Sequence, residues 1–272
     1  MLRGPGTPVG VLVRELWRSR HLLNILARKD FYVRYRRTAL GVVWAVAVPL
    51  VQAVVLAVVF TRVIPLGRLV KDGSVSYPVF LYSGLVPWTY FSTVVPSAST
   101  AIADNVGLAS KVYFPRALTV GVVVLTGLYP LAIGIVLLLL LTLVVGSGIG
   151  LSFLLVVPAT LLTMTVVTAI GLVLSAAHVY FRDIRYIVAA VLSVGFYVTP
   201  ILYPPQRAHG LLHILVLVNP ATGPVELFRA ATVGADPSCA LAVAITGAWC
   251  VVLGALGLWL QSRRNRVFTD LL

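Results

Sequence analysis

Charge is what this sequence has least of: only 11% of its 272 residues are Asp, Glu, Lys or Arg, against about a quarter in an average soluble domain. Acidic residues number eight, too few and too scattered for the paired carboxylates of acid–base or glycosyl-transfer chemistry. No G-x-x-x-x-G-K-S/T phosphate loop occurs; the glycine-rich stretch Gly146, Gly148, Gly150 carries no lysine. The four histidines (His21, His178, His209, His213) lie in different segments, so no His/Cys cluster or Ser/His/Asp set forms. Neither ATP hydrolysis nor a resident metal or cofactor is expected of this chain. The two cysteines, Cys239 and Cys250, stand eleven residues apart, about 16 Å along a helix. That is too far for a disulfide, and both read as small apolar residues.

What the sequence has is apolar surface: 60% hydrophobic residues and a mean hydropathy of +1.01. A helix crossing a hydrocarbon core of about 30 Å takes about 20 apolar residues. The gaps between charges delimit such runs at Thr38–Thr61, Gly73–Ala103, Ala117–Phe181, Tyr186–Gln206 and Pro237–Ser262. The third is 65 residues long, enough for two crossings with a turn at Gly146–Gly150. The expectation is an all-α membrane protein with six transmembrane helices, at 41–62, 77–100, 117–145, 151–179, 186–203 and 237–260. With both ends on one side, 16 of the 21 Lys and Arg fall in the segments on that side. Retention of basic residues places it in the cytoplasm, so residues 1–40 and 261–272 are cytoplasmic segments of an inner-membrane protein. The formal charge of +13 follows that face instead of forming a nucleic-acid-binding domain, and anionic lipid headgroups are its natural partner.

Almost no ionisable side chain lies within the apolar runs, whereas ion-coupled carriers keep Asp, Glu or His there as relays. A carrier powered by its own ion gradient is therefore disfavoured. The first 40 residues are too basic, and lack the apolar core, for a signal peptide. Residues 22–37 read as an interfacial amphipathic helix, although Lys29 and Arg36 fall near the apolar face and would have to snorkel. Residues 209–236 are too hydrophobic for a loop and too broken for a span. They read as two short re-entrant or outer-interface helices, which protein must cover because broken backbone is not tolerated in lipid.

Six strings stand in the order and spacing of one family: "LARKDFYVRYRRTALGVVWAVAVP" from Leu26, "YPVFLYSGLVPWTYFS" from Tyr77, "NVGLASKVYFPR" from Asn105, "YFRDIRYI" from Tyr180, "TPILYPP" from Thr199 and "NPATGPVELFRAA" from Asn219. Nearly the whole chain resembles the ABC-2 type permeases of polysaccharide exporters, the group for O-antigen, teichoic acid and galactan precursors. The resemblance implies a homodimer of permeases exporting a polyprenyl-linked polysaccharide, with ATP and Mg bound by two copies of a separate cytoplasmic ATPase. It makes the N-terminal helix a gate and the Asn105–Arg116 loop a coupling helix. Asn105, Lys111, Arg116, Arg182 and Asp183 become candidates for ATPase contact. Topology-setting charge remains open for Lys111 and Arg116, and helix capping for Arg182 and Asp183. Glu226 and Arg229 sit on the outer re-entrant helices and are spaced to pair with each other.

Flat aromatic faces stack on sugar rings without a fixed hydrogen-bond register. Phe31, Tyr32, Tyr35, Trp88, Tyr90, Phe91, Tyr197 and Tyr203 are therefore candidates for a sugar channel, the alternative being an interfacial aromatic belt. That belt is the preferred reading for Trp17, Trp249 and Trp259. Rival functions are an ABC-2 exporter of a small drug or lipid and a non-transporting membrane scaffold.

Overall fold

Apolar runs without water have to satisfy their backbone within the segment, which leaves the helix as their structure. In the computed structural model, residues 9–36, 41, 43–59, 76–105, 116–145, 149–234 and 238–264 are described, and no strand occurs among them. The α-helices are α1 (Val9–Arg18), α2 (Arg20–Tyr35), α3 (Val43–Val58), α4 (Tyr77–Asp104) and α5 (Ala117–Val145). They continue as α6 (Val156–His178), α7 (Ile184–Val198), α8 (Leu211–Val218), α9 (Thr222–Thr232) and α10 (Cys239–Arg264). A 3-10 turn at Leu151–Leu155 leads into α6, and another at Pro205–Arg207 precedes α8.

Three helical segments are long and apolar enough to cross a membrane: Ala117–Val145, Leu151–His178 and Cys239–Arg263. Only 22%, 33% and 17% of their most apolar windows are buried within the chain, so their outward faces are suited to lipid. α4 is the converse. Serine, threonine, tyrosine and three prolines make it less apolar, yet 19 of its 28 residues are buried and it touches α3, α5, α6, α7 and α9. In a lipid solvent the less apolar helix belongs at the centre, where protein can meet its polar groups.

Glycines set the closest approaches. A Cβ on Gly127 of α5 would run into Val94 and stand 2.9 Å from the Tyr90 ring of α4. One on Gly171 of α6 would meet Ala98 at 2.9 Å. Small residues at such crossings let backbones approach where no hydrophobic force drives helices together.

The α2 helix is packed on protein along its length. Ala27 and Phe31 are buried, Thr126 Oγ1 donates to Ala27 O at 3.3 Å, and the Phe31 and Tyr129 rings lie 4.5 Å apart. Leu23 covers Gly121. The pairs 23/121, 27/126 and 31/129 advance in the same order, so α2 runs alongside α5 in the same direction.

Among the described residues the chain breaks once within a hydrophobic pair: α8 and α9 meet at 84°. The polar groups freed there find side-chain partners. Trp249 Nε1 donates to Val218 O at 2.7 Å, Thr222 Oγ1 to Val216 O at 2.6 Å, and Thr246 Oγ1 to Pro220 O at 3.2 Å. Asn219 accepts from Ala221 N at 3.0 Å and donates to Thr199 Oγ1 at 2.8 Å. Trp249, a belt residue by sequence, is thus part of this bracket. Gly210, with φ at +59°, turns the chain into α8, a backbone that favours glycine.

Gly127→Val should lower the apparent melting temperature of the detergent-purified chain, in line with an overpacking cost of about 1–3 kcal/mol. Gly247→Ala should not lower it, since nothing stands within 4 Å of that Cβ and alanine is the better helix former. Thermal unfolding followed by circular dichroism checks both.

Candidate functional site

Hydroxyls line one face of α4. Thr89, Thr93, Ser97, Thr100 and Asp104 are spaced by three and four residues, which puts them on a single stripe, and all are half-buried or exposed. Thr93 Oγ1 donates to Thr89 O at 2.7 Å, Ser97 Oγ to Thr93 O at 3.0 Å and Thr100 Oγ1 to Asp104 Oδ2 at 2.6 Å. With their protons committed, the hydroxyl oxygens present acceptors to whatever passes. A second stripe lies on α7, where Tyr186, Ala190, Ser193 and Tyr197 share a face and are all exposed. Val188 is the buried residue of that helix, so most of the α7 surface faces away from the rest of this chain.

The candidate channel aromatics separate into buried and exposed sets. Trp88, Tyr90 and Phe91 are buried. Trp88 stacks on Phe91 at 5.9 Å and meets Phe196 edge-on at 5.9 Å, while Tyr90 Oη donates to Val124 O at 2.9 Å. From Phe196 the ladder continues edge-on, at 5.4 Å, to exposed Tyr197. Tyr203 lies beyond the end of α7, and its hydroxyl donates to Tyr197 O and Val198 O, each at 3.1 Å. Phe31 is buried against Tyr129 and Tyr32 is 60% exposed. Tyr35 closes α2, and its side chain lies outside the described part of the structure. A cavity of about 270 Å³ opens between α3, α4 and α5, reached by Arg34 from α2 and lined by Gln52, Tyr82 and Tyr90 among others.

The ends of α4, α6 and α7 bring several charged candidates together. Asp104, Arg182 and Arg185 lie close enough to His178 to act on it electrostatically. His178 is 7% exposed, and its Nδ1 has no hydrogen-bond partner among the described residues. Asn105 closes α4 by donating to Ala101 O at 2.9 Å. Arg116 opens α5, its carbonyl accepting from Thr119 N and Oγ1; burial pulls its guanidinium pKa below the ordinary value. Asp183 opens α7 with its carbonyl, accepting from Tyr186 N and Ile187 N, while its side chain makes no cap. Arg182 and Asp183 are exposed. Lys111 lies outside the described residues.

Glu226 and Arg229 pair with each other at 2.9 Å, with side chains 1% and 5% exposed. Arg229 Nη2 donates to Ile201 O at 2.8 Å and its guanidinium stacks 3.8 Å from the Phe80 ring centroid. One arginine thereby ties α9 to α4 and to the turn after α7. Gly84 leaves room for it, a Cβ there lying 3.4 Å from Nη2. Sequence reasoning missed Phe196, Tyr129 and the α4 stripe; the three- and four-residue spacing of the hydroxyls was the available signal for the last.

The family described as ABC-2 type transporter matches residues 21–233. The O-antigen export system permease protein RfbA of Myxococcus xanthus is 31% identical over 221 residues, 80% of this chain and 83% of its own. RfbA of Klebsiella pneumoniae is 27% identical over 210 residues, 76% of this chain and 78% of its own. The polysialic acid transport protein KpsM of Escherichia coli is 25% identical over 210 residues, 77% of this chain and 80% of its own.

Removing one member of a buried ion pair leaves the other uncompensated, at about 3–5 kcal/mol. Arg229→Met alone should therefore destabilise the chain strongly. Glu226→Gln combined with Arg229→Met should cost less than the sum of the two single variants. Apparent melting temperatures of the three variants check the non-additivity.

Proposed function

Since the chain belongs to the ABC-2 type transporter family, we propose that it is the membrane permease subunit of an exporter for a lipid-linked polysaccharide, driven by a separate ATPase subunit. The observation that carries this reading is its likeness, over three quarters or more of its length, to permeases named for O-antigen export and polysialic acid transport. The absence of a phosphate loop from the sequence agrees with an engine on another chain, where ATP and Mg would bind.

In this reading α3, α4, α5, the Leu151–His178 segment, α7 and α10 make six crossings. Both termini are cytoplasmic and the protein sits in a bacterial inner membrane. The α8–α9 pair is re-entrant on the outer side, held by its side-chain bracket, and α2 is the gate helix beside α5. At 15 residues, α7 spans about 22 Å, less than a full hydrocarbon core. Short helices flanked by basic and aromatic residues are adapted to a locally thinned bilayer.

The exposed face of α7 then belongs at the contact with a second copy of the chain. There Tyr186, Ser193 and Tyr197, with Ser97 and Thr100 of α4, line the path of the polymer. Hydroxyl acceptors and ring faces suit a glycan because neither demands one repeat in one register. Trp88, Tyr90 and Phe91 support this wall from behind and need not touch sugar. The Asp104 and Arg182 end, with Asn105, Arg116 and Asp183 at neighbouring helix ends, faces the ATPase, Lys111 being a further contact candidate by sequence alone, and displacement of that end moves α4, the helix that touches five others.

Depletion of the chain should trap lipid-linked polymer inside the cell; unchanged polymer distribution would remove the export reading. Arg182→Glu, at an exposed site, should weaken capture of the ATPase subunit while leaving the melting temperature near that of the parent. Tyr197→Ala, at an exposed site, should slow export about fivefold, the equivalent of one aromatic contact of about 1 kcal/mol. Surface polymer measured at matched permease abundance checks it.

A further inference from the structure

The cavity between α3, α4 and α5 combines features that the transport path does not use. Val48, Leu85, Val86 and Leu131 give it apolar walls, and Arg34 stands at its mouth. The Arg34 side chain is 47% exposed, and its described ion partner, Asp30, is 3.9 Å away, at the outer limit of an ion pair. Its donors are therefore largely uncommitted. Gln52 and Thr89 also line the cavity, and their side chains donate no described hydrogen bond. Tyr82, in the same wall, is 3% exposed and its hydroxyl lacks a hydrogen-bond partner among the described residues. With largely uncommitted donors at its mouth and apolar walls within, the site is polar enough to gain from an occupant and too apolar to be filled by water alone.

We propose that this cavity holds one anionic diacyl phospholipid of the surrounding bilayer, its phosphodiester on Arg34 and one acyl chain between α3 and α4. The charge balance selects this occupant. Among the described residues, Arg34 is the single Lys or Arg that lines the cavity, and Asp30 already offsets part of it. One guanidinium in that setting matches the single charge of a phosphodiester and undercompensates a polyprenyl diphosphate. Gln52 and Thr89 supply donors for the ester carbonyls, acceptors that a polyprenyl chain lacks. The lipid so placed is a structural wedge that holds α3 against α4 and α5, separate from the substrate.

The test is native mass spectrometry of the full chain in detergent, titrated with phosphatidylglycerol, phosphatidylethanolamine or undecaprenyl phosphate. The parent chain should retain one phosphatidylglycerol in preference to the other two. Arg34→Gln should weaken that retention about fivefold, the effect of one basic residue at an anionic lipid surface, while Arg20→Gln, outside the cavity, should leave it unchanged. Gly134→Leu should abolish retention by filling the space, since a Cβ there meets Val86 only at 3.5 Å. Val48→Trp fills the same space from α3, so the outcome does not depend on one substitution folding. Equal retention by parent and cavity variants, equal retention of phosphatidylethanolamine, or preference for undecaprenyl phosphate would each overturn the assignment.

Discussion

Four side-chain hydrogen bonds close one break in the backbone, and the rest of the architecture follows the same constraint. Between α8 and α9 the helix ladder stops, and Asn219, Thr222, Thr246 and Trp249 take over the amides and carbonyls that it releases. Without water, each such group left unmet costs several kcal/mol. Irregular backbone can therefore sit in a chain this apolar only where other helices bring it partners. That is why α9 is almost wholly buried, and why the arginine that anchors it is itself paired, hydrogen-bonded and stacked on Phe80.

The same accounting inverts the usual pattern of a soluble domain. The long apolar helices α5, α6 and α10 leave most of their surface outside the chain, while α4, with its prolines and hydroxyls, is the hub. Serine and threonine there donate to their own helix, as Ser83 does to Phe80 O at 2.8 Å and Ser99 to Pro96 O at 2.7 Å. An interior helix of this kind can present acceptors to a polar cargo without leaving donors stranded in lipid. It also reaches from the α9 anchor to the Asp104 end, so a displacement at one end has a continuous body to move.

Helical class was legible because the charges are so rare that the gaps between them mark the apolar runs. The segment 117–145, predicted from those gaps, is one helix with those bounds. The Glu226–Arg229 contact was legible from spacing alone. Three-dimensional placement was less so. Trp88 and Tyr90 read equally well as channel, belt or core, and burial against Phe196 and Val124 distinguishes them only once the fold is known. The course of α2 was hidden for a related reason: basic residues on both of its faces suggest an interface, whereas Ala27 and Phe31 commit it to α5. The cavity at Arg34 is assembled from four helices and leaves no local pattern to find.

The proposed function rests on a chain that shapes a path and draws its force from a separate subunit. Reconstitution of the purified chain into liposomes, with and without its ATPase subunit, measures this directly. Delivery of a lipid-linked glycan to the far leaflet should require both the second subunit and hydrolysable ATP, and the chain alone should release no phosphate. Nucleotide turnover by the chain alone, or delivery without the second subunit, would contradict the account.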